Sequence, residues 1–150
     1  MQVHPSNALY TRKTRTPGRV LLAEDDPAIR RLILTMLRRS GLTVDAARDG
    51  QEARELLAAT RYRVLVTDLN MPRMSGWDLL EWLRRRPDHR PASVIVITAS
   101  DRSALRKLDP NVVNAILVKP FDTFALAGYV RAAAERTAAD RRHTRLVRTI

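Results

Sequence analysis

The chain has 150 residues, 45% of them hydrophobic and 29% charged, with no cysteine and a formal net charge of +11. That much apolar material supports a packed core and excludes wholesale disorder, and the missing cysteines exclude disulfide scaffolds, thiolate nucleophiles and Cys-ligated metal centres. No run approaches the roughly 18 apolar residues of a membrane span, and the amino terminus lacks the apolar core of a secretory signal. A cytoplasmic location is therefore expected.

The positive charge is concentrated at the two ends. Residues 1–19 carry Arg12, Lys13, Arg15 and Arg19 with no acid, and residues 136–150 carry five arginines against Asp140. Short basic ends attract phosphate polymers weakly. Arginine outnumbers lysine 24 to 3 beside much alanine, which reads as a genome-wide composition bias, so nucleic acid is not expected as a partner.

Residues 1–18 hold two prolines and no periodicity and read as a flexible basic arm. From Arg19 onward, short apolar runs alternate with helical patterns. Val20 to Ala23 forms a first strand that stops on Glu24-Asp25-Asp26. Ile29, Leu32, Ile33, Met36 and Leu37 then share one helical face, with Asp26 as N-cap, Pro27 at the first position and Gly41 at the end. Val44–Ala47 is a weak second strand, and Asp49 with Glu52 resembles a capping box for a helix that buries Ala53, Leu56 and Leu57.

A third strand through Val64-Leu65-Val66 ends on Thr67-Asp68, and a loop from Leu69 to Gly76 leads to a helix through Leu79, Leu80 and Leu83. A fourth strand, Val94 to Ile97, ends on Thr98. A short, poorly patterned helix around Ser103–Leu108 stops at Asp109-Pro110. A fifth strand, Ala115 to Val118, ends on Lys119-Pro120, and Asp122 caps a last helix whose Leu126, Tyr129, Val130 and Ala133 share a face. Five β-then-α units with continuously apolar strands predict an α/β domain: a doubly wound, five-stranded parallel sheet with helices on both faces. The domain is expected over 19–138, followed by a basic tail over 139–150 too short to fold alone.

In such sheets ligands bind beyond the carboxyl ends of the strands. Those ends carry Glu24 and Asp25, Asp68, Thr98 and Lys119. Three carboxylates brought close together repel unless a cation compensates them. Their hard oxygens suit Mg²⁺, a lysine opposite them can hold an anionic group, and a carboxylate can attack phosphorus. The residues thus point to Mg²⁺-assisted phosphoryl transfer involving a carboxylate. Neither GxxxxGK[ST] nor GxGxxG occurs, which disfavours a nucleotide as phosphate source and leaves no cofactor-binding motif.

The segments Val20–Asp26, Thr67–Pro72 with Gly76, Thr98-Ala99 and Lys119-Pro120-Phe121, taken together and in order, resemble the receiver domains of bacterial two-component response regulators, specifically the stand-alone, chemotaxis-regulator-like kind. The likeness covers about residues 20–138. It implies a flavodoxin-like (βα)5 fold with strand order 2-1-3-4-5. It makes Asp68 the acceptor of a phosphoryl group from a phosphohistidine of a sensor histidine kinase or phosphotransfer protein. Asp25, Asp68 and the backbone carbonyl of Asn70 would ligate Mg²⁺, with Glu24 assisting through water. Lys119 would contact the phosphoryl oxygens, Thr98 would turn inward to hydrogen-bond them, and the Lys119–Pro120 bond would be cis. Asn70 and Ser100 would tune how fast the phosphate is lost.

Two departures fall on the family's usual output face: Ile116 stands where a Tyr or Phe normally partners the Thr98 switch, and the fourth helix is broken by Asp109-Pro110. The resemblance implies a signalling domain rather than an enzyme, assisting only its own phosphorylation and dephosphorylation. It would act through an unidentified downstream protein or a phosphorelay, with a homodimer among the assemblies open to it. The main alternative is a receiver-like binding module working without phosphorylation, its basic ends docking a partner or nucleic acid. A haloacid-dehalogenase-like phosphatase would need an acid two residues after the nucleophile, where Asn70 stands.

Overall fold

The computed structural model describes residues 16–136 and 148–149. Most of the amino-terminal arm (residues 1–15) and most of the basic tail expected from the sequence lie outside the described residues. The elements run β1 (Val20–Ala23), α1 (Pro27–Arg39), β2 (Val44–Ala47), α2 (Gly50–Ala59), β3 (Val64–Asp68), α3 (Gly76–Arg85), β4 (Ser93–Thr98), α4 (Arg102–Leu105), β5 (Ala115–Val118), α5 (Thr123–Glu135) and β6 (Arg148–Thr149). The five expected strands form a parallel sheet in the order 2-1-3-4-5, the flavodoxin-like arrangement. The two-residue β6, not foreseen from the sequence, pairs in parallel with the start of β5, Arg148 opposite Ala115.

The period-2 geometry of a strand sends alternate side chains to opposite faces, and both faces are buried. Val20, Leu22, Val64, Val66, Ile95, Ile97, Ala115 and Leu117 pack under α1 and α5. Leu21, Ala23, Leu65, Val94, Val96 and Ile116 pack under α2 and α3. Full burial of a side chain such as Leu37, Ile95 or Leu79 contributes roughly 1.5–3 kcal/mol each.

Helix starts follow local chemistry. Asp26 accepts from the Ala28 and Ile29 N–H groups with Pro27 at the first turn, and Gly41 leaves α1 at φ +81°, a conformation glycine adopts without strain. Two local readings are corrected. The Glu52 carboxylate reaches past the N-cap to the Arg48 N–H instead of closing a capping box on Asp49. The reciprocal box forms instead at α3, between Ser75 and Asp78. Helix α4 is shorter than expected and earlier, Arg102–Leu105, capped by Asp101 and continued only by turns through Leu108 and Asp109.

Gly76 sits where the chain folds back over the end of β3. Its N–H donates to the Leu69 carbonyl at 2.8 Å, and a Cβ there would lie 2.0 Å from the Asp68 carbonyl oxygen and 2.7 Å from Leu69 Cα. Gly128, in the middle of α5, has nothing within 4 Å of such an atom. Urea unfolding should therefore find Gly76→Ala destabilised by about 1–3 kcal/mol through backbone overlap, and Gly128→Ala stabilised by about 0.5–1 kcal/mol through helix propensity.

Candidate functional site

Parallel register lines up the ends of four adjacent strands, β1, β3, β4 and β5. Ala23 pairs with Thr67, Asp68 with Ile97, and Thr98 with Val118, so the residues that follow β1 and β5 converge on Asp68. Glu24 is fully buried, Asp68 nearly so, and Asp25 is exposed. One carboxylate oxygen from each lies within 4.8 Å of the others. Lys119 spans the cluster: its Nζ donates to Asp68 Oδ2 at 2.7 Å and to Glu24 Oε2 at 3.2 Å.

The two buried carboxylates are also fixed from behind. Asp68 Oδ1 accepts from the Leu69 N–H at 2.6 Å and the Asn70 N–H at 3.3 Å, which sets the rotamer and leaves Oδ2 toward Lys119. Glu24 Oε1 accepts from the Asp26 N–H at 3.1 Å. The Arg30 guanidinium of α1 donates to the Glu24 and Asp25 carbonyls at 2.9 and 3.2 Å, tying the acidic strand end to the helix that follows it.

These contacts govern the proton equilibria. Burial, reinforced by the Asp68 charge, raises the Glu24 pKa above its ordinary 4.5 despite the opposing Asp26 N–H and Lys119. Burial works against the Lys119 charge, but the hydrogen bond and charge of Asp68, with Glu24, prevail and raise its pKa above the ordinary 10.5. Three carboxylates share one ammonium, and the set retains surplus negative charge facing an exposed Asp25. That donor set, hard oxygens gathered at an open strand end, fits a divalent cation such as Mg²⁺.

The remaining residues singled out from the sequence surround this cluster. The Lys119–Pro120 bond is cis. Thr98 is fully buried, and its side chain is turned to its own loop: the hydroxyl donates to Ser100 Oγ at 3.0 Å and accepts from the Ser100 N–H at 3.0 Å. The Asn70 side-chain amide donates to the same Ser100 Oγ at 3.2 Å, so the two loops that flank Asp68 are joined through Ser100. Ile116 is buried between β5 and the α4 side of the sheet and carries no polar atom to join this chain.

A contact that the sequence did not reveal steadies the loop bearing Asn70. Arg73 adopts φ +64°, unusual for a residue with a side chain, and its guanidinium pairs with buried Asp49 at 2.8 Å. Asp49 also caps α2, and the Gly50 N–H donates to the Met74 carbonyl at 2.9 Å. No local pattern links Asp49 to Arg73, 24 residues apart. Elsewhere, His89 is stacked on Trp82 with centroids 5.6 Å apart.

Among the described residues no helix is long and apolar enough to cross a membrane. Comparison with known proteins identifies the family. The model of the response regulator receiver domain matches residues 20–131. Response regulator MprA of Mycolicibacterium vanbaalenii is 36% identical over 126 residues, which are 83% of this chain and 53% of that protein. The chain thus spans about half the length of this and several other curated relatives it matches. The receiver domain of Francisella response regulator 1452 superposes with a TM-score of 0.71 at 31% identity, covering 79% of this chain and 98% of that one. The Thermotoga maritima response regulator TrrA, solved in complex with Mg²⁺-BeF, gives 0.67 at 26% identity over 77% and 97% of the two chains. The chain belongs to the response regulator receiver domain family of two-component signalling.

Proposed function

We propose that residues 19–138 act as a phospho-accepting receiver domain in the cytoplasm, with Asp68 as acceptor. The observation that carries this reading is the placement of Lys119 Nζ 2.7 Å from Asp68 Oδ2, beside the Glu24–Asp25 pair. An Asp68 carboxylate oxygen attacks the phosphorus of a phosphohistidine on a sensor histidine kinase or phosphotransfer protein. The phosphorus–nitrogen bond breaks, its electron pair returns to the donor imidazole, and an acyl phosphate forms. Asp25, Asp68 and the Asn70 carbonyl would hold Mg²⁺, with Glu24 assisting through water. The ion would supply charge neutralisation at the transferring group.

Lys119 is positioned to exchange its contact with Asp68 for one to a phosphoryl oxygen. Thr98 must release Ser100 to reach the same group, which leaves the separate Asn70–Ser100 hydrogen bond as the remaining tie between the two loops. A space of about 810 Å³ bounded by Ala99, Ser100, Leu105, Ile116 and Val118 lies beside this loop, giving it room to shift. With Ile116 in the strand, the change passes to the α4–β5 surface by packing rather than by a hydroxyl contact. A local charge event thus biases two arrangements of one loop, and the output is contact with a downstream protein, self-association or onward transfer of the phosphoryl group.

Incubation with Mg²⁺ and a small acyl phosphate, followed by intact mass, tests the assignment. The wild type should gain one phosphoryl group; Asp68→Asn and an EDTA-treated sample should gain none. Lys119→Met should be modified at least about tenfold more slowly through loss of charge stabilisation. Failure of folded wild type to be modified by either the acyl phosphate or a phosphorylated histidine donor would leave the binding module acting without phosphorylation as the better account.

A second measurement follows from Glu24. A carboxyl whose pKa is raised on folding favours the folded chain below its ordinary value of 4.5, and that advantage is lost as pH rises through the folded value. In EDTA, the stability of Glu24→Gln relative to wild type should therefore increase as pH is raised from about 4 toward neutrality. Urea unfolding across that range reads the trend, and a flat or falling difference would contradict the assigned burial effect.

A further inference from the structure

All five strands of the domain point their carboxyl ends at the acidic site, and the opposite end of the sheet is lined by arginines. An open cavity of about 540 Å³ there is bordered by Arg19, Arg61, Arg63, Arg90, Tyr62 and His89. Arg19 is balanced by Asp45 at 3.0 Å, which also accepts the Tyr62 hydroxyl at 2.7 Å. Arg63 is spent on the Arg136 carbonyl. Arg61 and Arg90 make no ion pair among the described residues, and the acid bordering the cavity, Asp88, is itself exposed beside His89.

Arginines at helix ends have a sufficient explanation in the helix dipole; Arg38, Arg39, Arg84 and Arg85 are of that kind and are set aside. Arg90 lies in the loop between α3 and β4, where no helix dipole accounts for it, whereas Arg61 directly follows Thr60, the C-cap of α2. Both ends of the domain meet beside the same cavity: the Gly18 N–H donates to the Ala134 carbonyl at 2.9 Å, and Arg136 is held by Arg63. The sequence on either side adds Arg12, Lys13 and Arg15 before this point and Arg141, Arg142, Arg145 and Arg148 after it. Composition accounts for the number of arginines. It does not account for Arg19, Arg61, Arg63 and Arg90 bordering one cavity.

We infer that this arginine-lined pole, opposite the Asp68 site, binds the sugar–phosphate backbone of single-stranded nucleic acid. The guanidinium fork matches phosphate oxygens bidentately, and the ring of His89, stacked on Trp82 and lining the cavity, supplies the aromatic surface that such sites use to hold a base. The cavity has room for a nucleotide unit rather than a duplex. No exposed large apolar side chain borders it, since Leu32, Val118 and Phe124 lie elsewhere, which disfavours a membrane surface. The inference is independent of phosphorylation at Asp68.

Fluorescence anisotropy of the full chain with a labelled single-stranded 20-mer tests it. Binding should weaken linearly in log affinity against log salt, and Arg61→Ala/Arg90→Ala should bind at least about tenfold more weakly, with a salt slope reduced by roughly 1.4 for two lost phosphate contacts. Arg61→Glu alone, at an exposed position that cannot unsettle the core, should weaken binding in the same direction. Three results would overturn the inference: no binding at low salt, affinity within about twofold of wild type in both variants, or equal binding to phosphatidylserine vesicles that the same variants abolish.

Discussion

Everything at the acidic end of this molecule depends on one ammonium group placed among three carboxylates. Without a counter-charge, buried Glu24 and Asp68 would repel each other at such close range, and the strand ends that carry them would be pushed apart. Lys119 answers that repulsion from a third strand. It holds the cluster together in the resting state, and it is the group best placed to follow negative charge when charge is added at Asp68.

The sheet makes this contact possible by register rather than by local sequence. Fully buried strands, packed on both faces, cannot slip by one residue without exchanging their two faces. Their carboxyl ends, and the side chains just beyond them, are therefore fixed. Mobility is left to the loops, where Ser100 joins Asn70 to Thr98 by hydrogen bonds worth about 1 kcal/mol each. A rigid floor under a weakly latched pair of loops is what a switch requires: the site keeps its geometry while the latch is exchanged.

Much of this was legible in the sequence. The apolar runs, the acid or hydroxyl or lysine closing each of four strands, Asp26 with Pro27, and the placement of Gly41 all follow from local chemistry and predict the parallel α/β sheet, while the strand order 2-1-3-4-5, which the structure bears out, follows from the family resemblance. The contacts that were missed are those with no local signature. Arg30 holding the Glu24 carbonyl, Arg73 pairing with Asp49, and Glu52 reaching Arg48 instead of its own cap all depend on how long side chains choose between competing partners. Thr98, expected to hydrogen-bond a phosphoryl group on Asp68, here holds the hydroxyl two residues on. The basic pole has no local signature either: a count of arginines gives their number, and only the fold puts Arg61 and Arg90 in one cavity.

The most direct test of the central claim is the Mg²⁺ dependence of thermal stability in wild type and Asp25→Asn. Asp25 is exposed, so its substitution leaves the core intact. An ion bound only by the folded chain raises stability by RT ln(1 + [Mg²⁺]/Kd). The account predicts a melting temperature that climbs with Mg²⁺ in the wild type and stays flat in Asp25→Asn. An equal response in both proteins, or none in the wild type, would contradict it.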